Sequence, residues 1–244
     1  MTDFNIVVPN LDRRPDRWYS CYGALLALGF PVKRLHRFSA HDHVNYDSRE
    51  QAKAAATKQF PNSEYLRNVS LEKGYYCWSW TWYDIMTQIA DGSDDSVYTL
   101  FLIDDYTMMV TYSEVLEHIR LLSSCGVPLK MIQYAFNDQR PGFEPQDSLE
   151  PGEPVERTAL HRGLSHSGDA ANLLTPLGAK EILNLADNIG GACGVPNWVF
   201  WWAARKLPPD GYFSTGRLMA RAMNRTRHIS WYEDAREGMP PNNK

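Results

Sequence analysis

Two adjacent carboxylates follow a strongly apolar segment in the middle of the chain. Residues 97–103 read VYTLFLI, and Asp104 and Asp105 come directly after them. Such a run predicts a buried central strand, and α/β sheets bind ligands outside the carboxyl ends of their strands. Because two neighbouring carboxylates repel each other until a cation neutralises them, we predict a metal–diphosphate site here. The alternative is a solvated turn, where Asp is also common.

The segments around this strand alternate between strand and helix patterns. Residues 4–8 and 32–38 are predicted strands, with a polar loop and a helix at residues 18–28 between them. This βαβ order implies a parallel sheet with a right-handed crossover, so the loops after both strands share one edge with Asp104 and Asp105. The same patterns predict further helices at 51–58, 113–123, 177–188, after Ser70 and within 194–211, and strands at 129–135 and 168–174.

Size and composition favour one cytoplasmic domain over residues 1–244. The hydrophobic share of 43% supports a core, and the net charge of −4 gives no general attraction to nucleic acids or membranes. Neither a signal peptide nor a membrane span is predicted. Residues 138–157, rich in Pro and Gly, predict a long loop. Four cysteines without a CxxC pair are predicted to be reduced and mostly buried: Cys21, Cys77, Cys125 and Cys193.

Several motifs occur in the order found in family-25 glycosyltransferases, which include bacterial lipooligosaccharide galactosyltransferases and collagen galactosyltransferase domains. Residues 7–17, VVPNLDRRPDR, resemble the loop after that family's first strand, and residues 37–42, RFSAHD, resemble the motif after its second. Residues 168–183, GDAANLLTPLGAKEIL, resemble a later motif. The resemblance implies a GT-A-type α/β fold, a Rossmann-like mixed sheet with helices on both faces.

Several positions depart from the family pattern, and two of these departures bear on whether the protein is active. The family carries Glu before its paired Asp residues, where this chain has Ile103, and it carries Asp where this chain has Asn197. These losses leave open a catalytically dead protein that still binds sugar nucleotides.

The resemblance implies an inverting, metal-dependent transfer of a sugar from a nucleoside-diphosphate donor, expected to be UDP-hexose, to an acceptor hydroxyl. Mn²⁺ or Mg²⁺ would be held by Asp104 and Asp105. The general base that such a transfer needs would be Glu72 or Asp169, with Asp234 a third candidate. The donor would be bound by residues of the strand-end loops: Asn10, Leu11, Arg13, Arg14, Arg17, Asp42 and Asp104.

A saccharide is the expected acceptor, stacked on Trp198 and Trp201. Arg217, Arg221 and Arg225 recur every four residues, so a helix over them would carry a basic stripe that could also contact the acceptor. A basic stripe can mark nucleic-acid binding. The alternative acceptor is therefore a modified, hydroxymethylated base in DNA.

His41 and His43, which follow the second predicted strand, lie two residues apart. Alternate side chains of an extended segment point the same way, as a metal-binding pair would require. Because no third ligand lies nearby in the sequence, histidines of a surface loop are the preferred interpretation.

Overall fold

The computed structural model describes residues 3–94, 97–124, 126, 128–135, 160–164, 168–191, 194–215 and 220–222. The helices are α1 (Pro15–Ala27), α2 (Arg49–Gln59), α3 (Glu64–Asn68), α4 (Lys73–Ala90), α5 (Tyr112–Ser124), α6 (Pro176–Ile189) and α7 (Pro196–Lys206). The strands are β1 (Phe4–Asn10), β2 (Leu35–Ser39), β3 (Tyr98–Leu102), β4 (Tyr106–Met108), β5 (Met131–Ala135), β6 (His161–Arg162), β7 (Ala171–Leu174), β8 (Tyr212–Ser214) and β9 (Ala220–Ala222). The predicted loop at 138–157 lies outside the described residues.

A seven-stranded mixed sheet organises the protein, in the order β2-β1-β3-β7-β5-β8-β6. Strand β3 pairs in parallel with β1 and antiparallel with β7, and every residue of β3 is buried. The prediction of a central strand with a neighbour on each side is therefore confirmed. Strands β1, β2, β3, β5 and β8 all run the same way, while β7 and β6 run against them.

Helices cover both faces of this sheet. Phe4 and Phe101 lie on opposite faces, because Phe101 is paired with Val7 and side chains alternate along β1. Phe4 packs against Tyr112, the first residue of α5, whereas Phe101 stacks with Trp78 of α4 at 6.2 Å. The predicted mixed α/β sheet with helices on both faces is confirmed.

Helix α4 is the aromatic centre of the fold. Most of its residues are buried, including Trp78, Trp80 and Trp82, and it packs against α6 and α7. The helix begins at Lys73 with Glu72 as its N-cap residue rather than at Ser70. In α6 the predicted start is confirmed, since Thr175 accepts a hydrogen bond from the Gly178 N–H at 3.1 Å and Pro176 occupies the first turn.

The structure corrects two local predictions. Residues 32–34 form a short 3₁₀ turn after Pro31, so the second strand covers only Leu35–Ser39. The basic segment is not helical at Arg221, because β9 (Ala220–Ala222) pairs antiparallel with β4. The predicted stripe along a helix face is therefore wrong at Arg221, and Arg217 and Arg225 lie outside the described residues.

Two further expectations concern the thiols and the membrane. Cys21 and Cys77 are buried and free, as predicted, while Cys125 and Cys193 lie outside the described residues. Over the part of the chain that the structure describes, no helix combines the length and the apolar character needed to cross a bilayer.

Candidate active site

Four of the predicted site residues lie at one edge of the sheet: Asn10, Asp42, Asp104 and Asp169. The parallel strands β1, β2 and β3 all end there, which brings together the segments that carry Asn10, Asp42 and Asp104. Strand β7 runs the opposite way and begins at this edge, just after Asp169. A backbone hydrogen bond of 2.9 Å from the Ile103 N–H to the Ala170 carbonyl extends the β3–β7 pairing to the residues beside Asp104 and Asp169. Carboxylates from two segments that are distant in the sequence therefore lie at the same edge of the sheet.

Asn10 ties the ends of the first strands together. Its Nδ2 donates to Asp104 Oδ2 at 2.7 Å and to the Arg14 carbonyl at 2.9 Å. Its Oδ1 accepts from Arg37 Nε at 2.8 Å, and Asn10 is completely buried. Because both the nitrogen and the oxygen of its side-chain amide are hydrogen-bonded, Asn10 is fixed in orientation and holds the Asp104 carboxylate in place.

Arg17 lies inside the protein beside Asp104. Both side chains are only 1% exposed, and Arg17 Nη1 is 3.8 Å from Asp104 Oδ1. The first turn of α1 thus carries a buried cation to the end of β3. The predicted contact between Arg17 and a diphosphate stays a prediction, and the position of Arg17 beside Asp104 adds a second role, as a positive charge next to that carboxylate.

The carboxyl groups of Asp105 and Asp169 hold their protons unusually well. Burial, and then the charge of Asp104, raise the pKa of Asp105 to about 7, although Arg17 opposes this shift. Burial raises the pKa of Asp169 to about 6. The charge of Asp169 also contributes to the raised pKa of Asp105, so the two carboxyls sense each other electrostatically.

Asp169 is held by residues that the sequence did not point out. Trp78 Nε1 donates to Asp169 Oδ2 at 3.3 Å. The carbonyl of the preceding Gly168 accepts from Gln133 Nε2 at 3.1 Å and from Asn172 Nδ2 at 3.2 Å. The polar residues Gln133 and Asn172 in otherwise apolar strand patterns were the available signal, since buried amides need partners.

A side-chain ion pair connects the loop after β1 to the loop after β2. Arg13 Nε donates to Asp42 Oδ2 at 2.8 Å, and Asp42 Oδ1 caps the next turn by accepting from the Val44 N–H. Arg14 pairs instead with Asp16 at 2.9 Å. Leu11 is a buried side chain, 1% exposed, so only its backbone remains available to a donor. The Arg13–Asp42 pair therefore lies at the β1–β2 side of the carboxylate edge.

The two histidines after β2 have structural partners. His41 stacks on Trp80 with 3.7 Å between ring centroids, and its Nε2 lies 3.1 Å from Asp84 Oδ2. His43 Nδ1 lies 3.4 Å from Asp42 Oδ1. These contacts support the interpretation of His41 and His43 as loop residues rather than metal ligands.

Three other predicted residues belong to helices α4 and α7: Glu72, Trp198 and Trp201. Glu72 is exposed at the start of α4, and no hydrogen bond or ion pair joins it to another described side chain. Trp198 and Trp201 lie on α7, where Trp198 is 50% exposed. Asp234 lies outside the described residues.

The paired carboxylates suit a divalent cation that is also bound by a diphosphate. Among the described residues, no group of three or more His, Cys, Asp or Glu side chains is arranged for a metal. Asp105 Oδ1, however, is shielded from solvent and has no hydrogen-bond partner within the described part of the chain. A cation would satisfy this oxygen and relieve the repulsion from Asp104, and hard cations complete their shell with phosphate oxygens and water.

The sequence matches no protein-family model and no curated protein sequence. Among solved structures, the chain is similar to the apo crystal structure of mouse xyloside xylosyltransferase 1. The two share 14% identity with a TM-score of 0.50, over 95% of this chain and 90% of that one. At this identity the similarity shows that the two chains share a fold, and no more than the fold. The resemblance to family 25 stays a prediction.

Proposed function

We propose that the protein is a glycosyltransferase that moves a hexose from a UDP-sugar to a hydroxyl of a saccharide, with a divalent cation. The observation that carries the proposal is the meeting of Asp104, Asp105 and Asp169 at the strand-end edge of a glycosyltransferase fold. We place the donor across this edge in the order of the strands. The nucleoside lies towards β1 and β2, the diphosphate at β3 and the sugar towards β7.

The donor residues divide into contacts and supports. Arg13 and Asp42 line the nucleoside side, where the Arg13 side chain is paired with the Asp42 carboxylate. Asp105 and Asp104 would hold Mn²⁺ or Mg²⁺, which would stabilise the departing diphosphate. Asn10 and Arg17 act through Asp104: Asn10 orients its carboxylate and Arg17 places a positive charge beside it.

Asp169 is the proposed general base, in preference to the exposed Glu72. The acceptor oxygen forms a bond to the anomeric carbon, the bond from that carbon to the phosphate oxygen breaks, and Asp169 takes the hydroxyl proton. A single displacement of this kind inverts the anomeric configuration. A pKa of about 6 leaves Asp169 ionised at neutral pH while keeping it basic enough to accept a proton.

The test is hydrolysis of UDP-sugars in the presence of Mn²⁺ and the absence of an acceptor. We expect slow release of UDP from one UDP-hexose, loss of that release in EDTA, and loss in Asp169→Asn. Binding of UDP without any turnover, even with saccharide acceptors added, would instead support the catalytically dead alternative. The DNA acceptor is not proposed, because Arg221 lies in a strand rather than in the predicted basic helix.

A further inference from the structure

Helix α7 carries an exposed row of aromatic rings and cations, which we call the Trp–Arg strip: Trp198, Trp201, Trp202, Arg205 and Lys206. Trp198 and Trp201 meet edge to face at 5.6 Å, and Trp201 and Trp202 meet at 5.1 Å. Lys206 Nζ lies 5.7 Å from the centre of the Trp202 ring. Three large rings at helical spacing therefore share one partly exposed surface.

Arg205 differs from the other arginines whose side chains the structure describes. Each of the others forms a salt bridge: Arg13, Arg14, Arg17, Arg34, Arg37, Arg49, Arg67, Arg120 and Arg162. Arg205 instead lies with its guanidinium carbon 3.5 Å from the centre of the Trp201 ring, and Nη1 donates to the Trp201 carbonyl at 3.0 Å. The guanidinium is held in place without a carboxylate among the described residues, so its charge is available to a ligand.

The strip starts at the candidate active site and leads away from it. Strand β8 is parallel to β5 and ends at the carboxylate edge, and a short connection joins its start to the end of α7. Helix α7 therefore begins at that edge. Consistent with this direction, Gly194, just before α7, lies close to the side chain of Leu71, just before α4, and its carbonyl accepts a hydrogen bond from Tyr65 Oη of α3. From Trp198 to Arg205 the strip extends about 10 Å along the helix axis.

We propose that the Trp–Arg strip binds an extended saccharide that carries carboxylate, phosphate or sulfate groups. Flat tryptophan rings stack on the apolar faces of sugars, and a guanidinium binds planar anionic groups through two parallel hydrogen bonds. Two cations at the far end of the strip, in a chain with a net charge of −4, provide the charge complementarity. That this saccharide is the acceptor rests on the proposed function. That it binds to the strip is independent of the proposed function.

The proposal is tested by direct binding, followed through tryptophan fluorescence and calorimetry. The probes are a galacturonic acid hexasaccharide, a heparin hexasaccharide and neutral maltohexaose, with anionic phosphatidylglycerol vesicles and a single-stranded DNA oligonucleotide as competing classes. We expect at least one anionic hexasaccharide to bind and maltohexaose to bind at least about tenfold more weakly. Binding of neither anionic saccharide, equal binding of maltohexaose, or tighter binding of vesicles or DNA would overturn the proposal.

Variants locate the binding on the strip. Arg205→Gln should weaken binding of the anionic hexasaccharide about tenfold, and Arg205→Lys should recover part of the lost affinity. The matched control is Arg120→Gln, which removes the same charge from an exposed position on α5 and should leave binding unchanged. Equal losses in both variants would show a general charge effect and contradict the site. UDP hydrolysis measured on the same variants separates the two proposals, because donor turnover does not depend on Arg205.

Discussion

Asn10 and Asp104, 94 positions apart in the chain, are joined by a buried hydrogen bond of 2.7 Å. The bond links the ends of the adjacent parallel strands β1 and β3. It fixes the carboxylate of Asp104 at the edge where we place the diphosphate. The arrangement of the site therefore depends on an amide that belongs to the first strand rather than on the carboxylate pair alone.

Removing this amide should cost stability. Asn10→Ala removes the buried amide that donates to Asp104 and accepts from Arg37, so we expect the free energy of unfolding to fall by about 1–3 kcal/mol. Urea unfolding measures the change. Asn62→Ala, at an exposed position, is the matched control and should stay within about 0.5 kcal/mol of the wild type. Similar effects of both substitutions would contradict the role assigned to Asn10.

Arg17 should act as a built-in counter-charge for the carboxylates. Arg17→Met leaves Asp104 buried without its nearest cation, a change that typically costs about 3–5 kcal/mol. Since Mn²⁺ would replace the lost positive charge, Mn²⁺ should raise the melting temperature of this variant more than that of the wild type. Arg14→Met, which removes an ion pair with the exposed Asp16, is the control. If Arg17→Met does not fold, Arg17→Gln, which also removes the charge but keeps hydrogen-bond donors, is measured in the same way, and an absent Mn²⁺ effect in the folded variant would refute the account.

The raised pKa of Asp105 predicts how stability depends on pH in the metal-free protein. The folded state, with a pKa of about 7, binds a proton more tightly than the unfolded state with 3.8. The free energy of unfolding therefore falls as pH rises from about 4 to about 7. Asp105→Asn removes this loss, so the variant should be more stable than the wild type at pH 8, by at most about 4 kcal/mol, and equal to it near pH 4.

Thermal unfolding in EDTA across this pH range checks the prediction. Asp91→Asn, exposed at the end of α4, should show the same pH dependence as the wild type. Lower stability of Asp105→Asn at pH 8 would mean that its carboxylate is stabilised by a partner and that burial does not dominate.

Trp78 should tune the proposed base. Its hydrogen bond favours the ionised form of Asp169 and lowers the pKa of that carboxyl, so Trp78→Phe should raise the pKa. Because a base must be ionised to act, the acid limb of kcat/KM for sugar transfer should move to higher pH. Trp80→Phe is the matched control, since Trp80 Nε1 donates to Gln59 instead. An unshifted acid limb in Trp78→Phe would separate Asp169 from proton transfer.

The carboxylate edge could be predicted from the sequence because each strand end that forms it is marked by a pattern of neighbouring residues. The run before Asp104 marks β3, and the βαβ order of residues 4–38 puts the loop of Asn10 on the same edge. Arg17 was predicted at this edge but its burial was not, and neither was the contact of Trp78 with Asp169: whether α1 and α4 bury these side chains against the edge depends on helix packing, which periodicity leaves open. The prediction at Arg221 failed for a related reason, since pairing of β9 with β4 outweighed a spacing that suits a helix.

The most direct test of the central claim is calorimetric binding of UDP with Mn²⁺ or with EDTA, in the wild type and in Asp105→Asn. If Asp105 anchors a cation that holds the diphosphate, wild-type binding should weaken at least about tenfold in EDTA. Asp105→Asn should then bind UDP weakly in both conditions while remaining folded. Tight UDP binding by Asp105→Asn that still depends on Mn²⁺, or wild-type binding that does not respond to EDTA, would contradict the account.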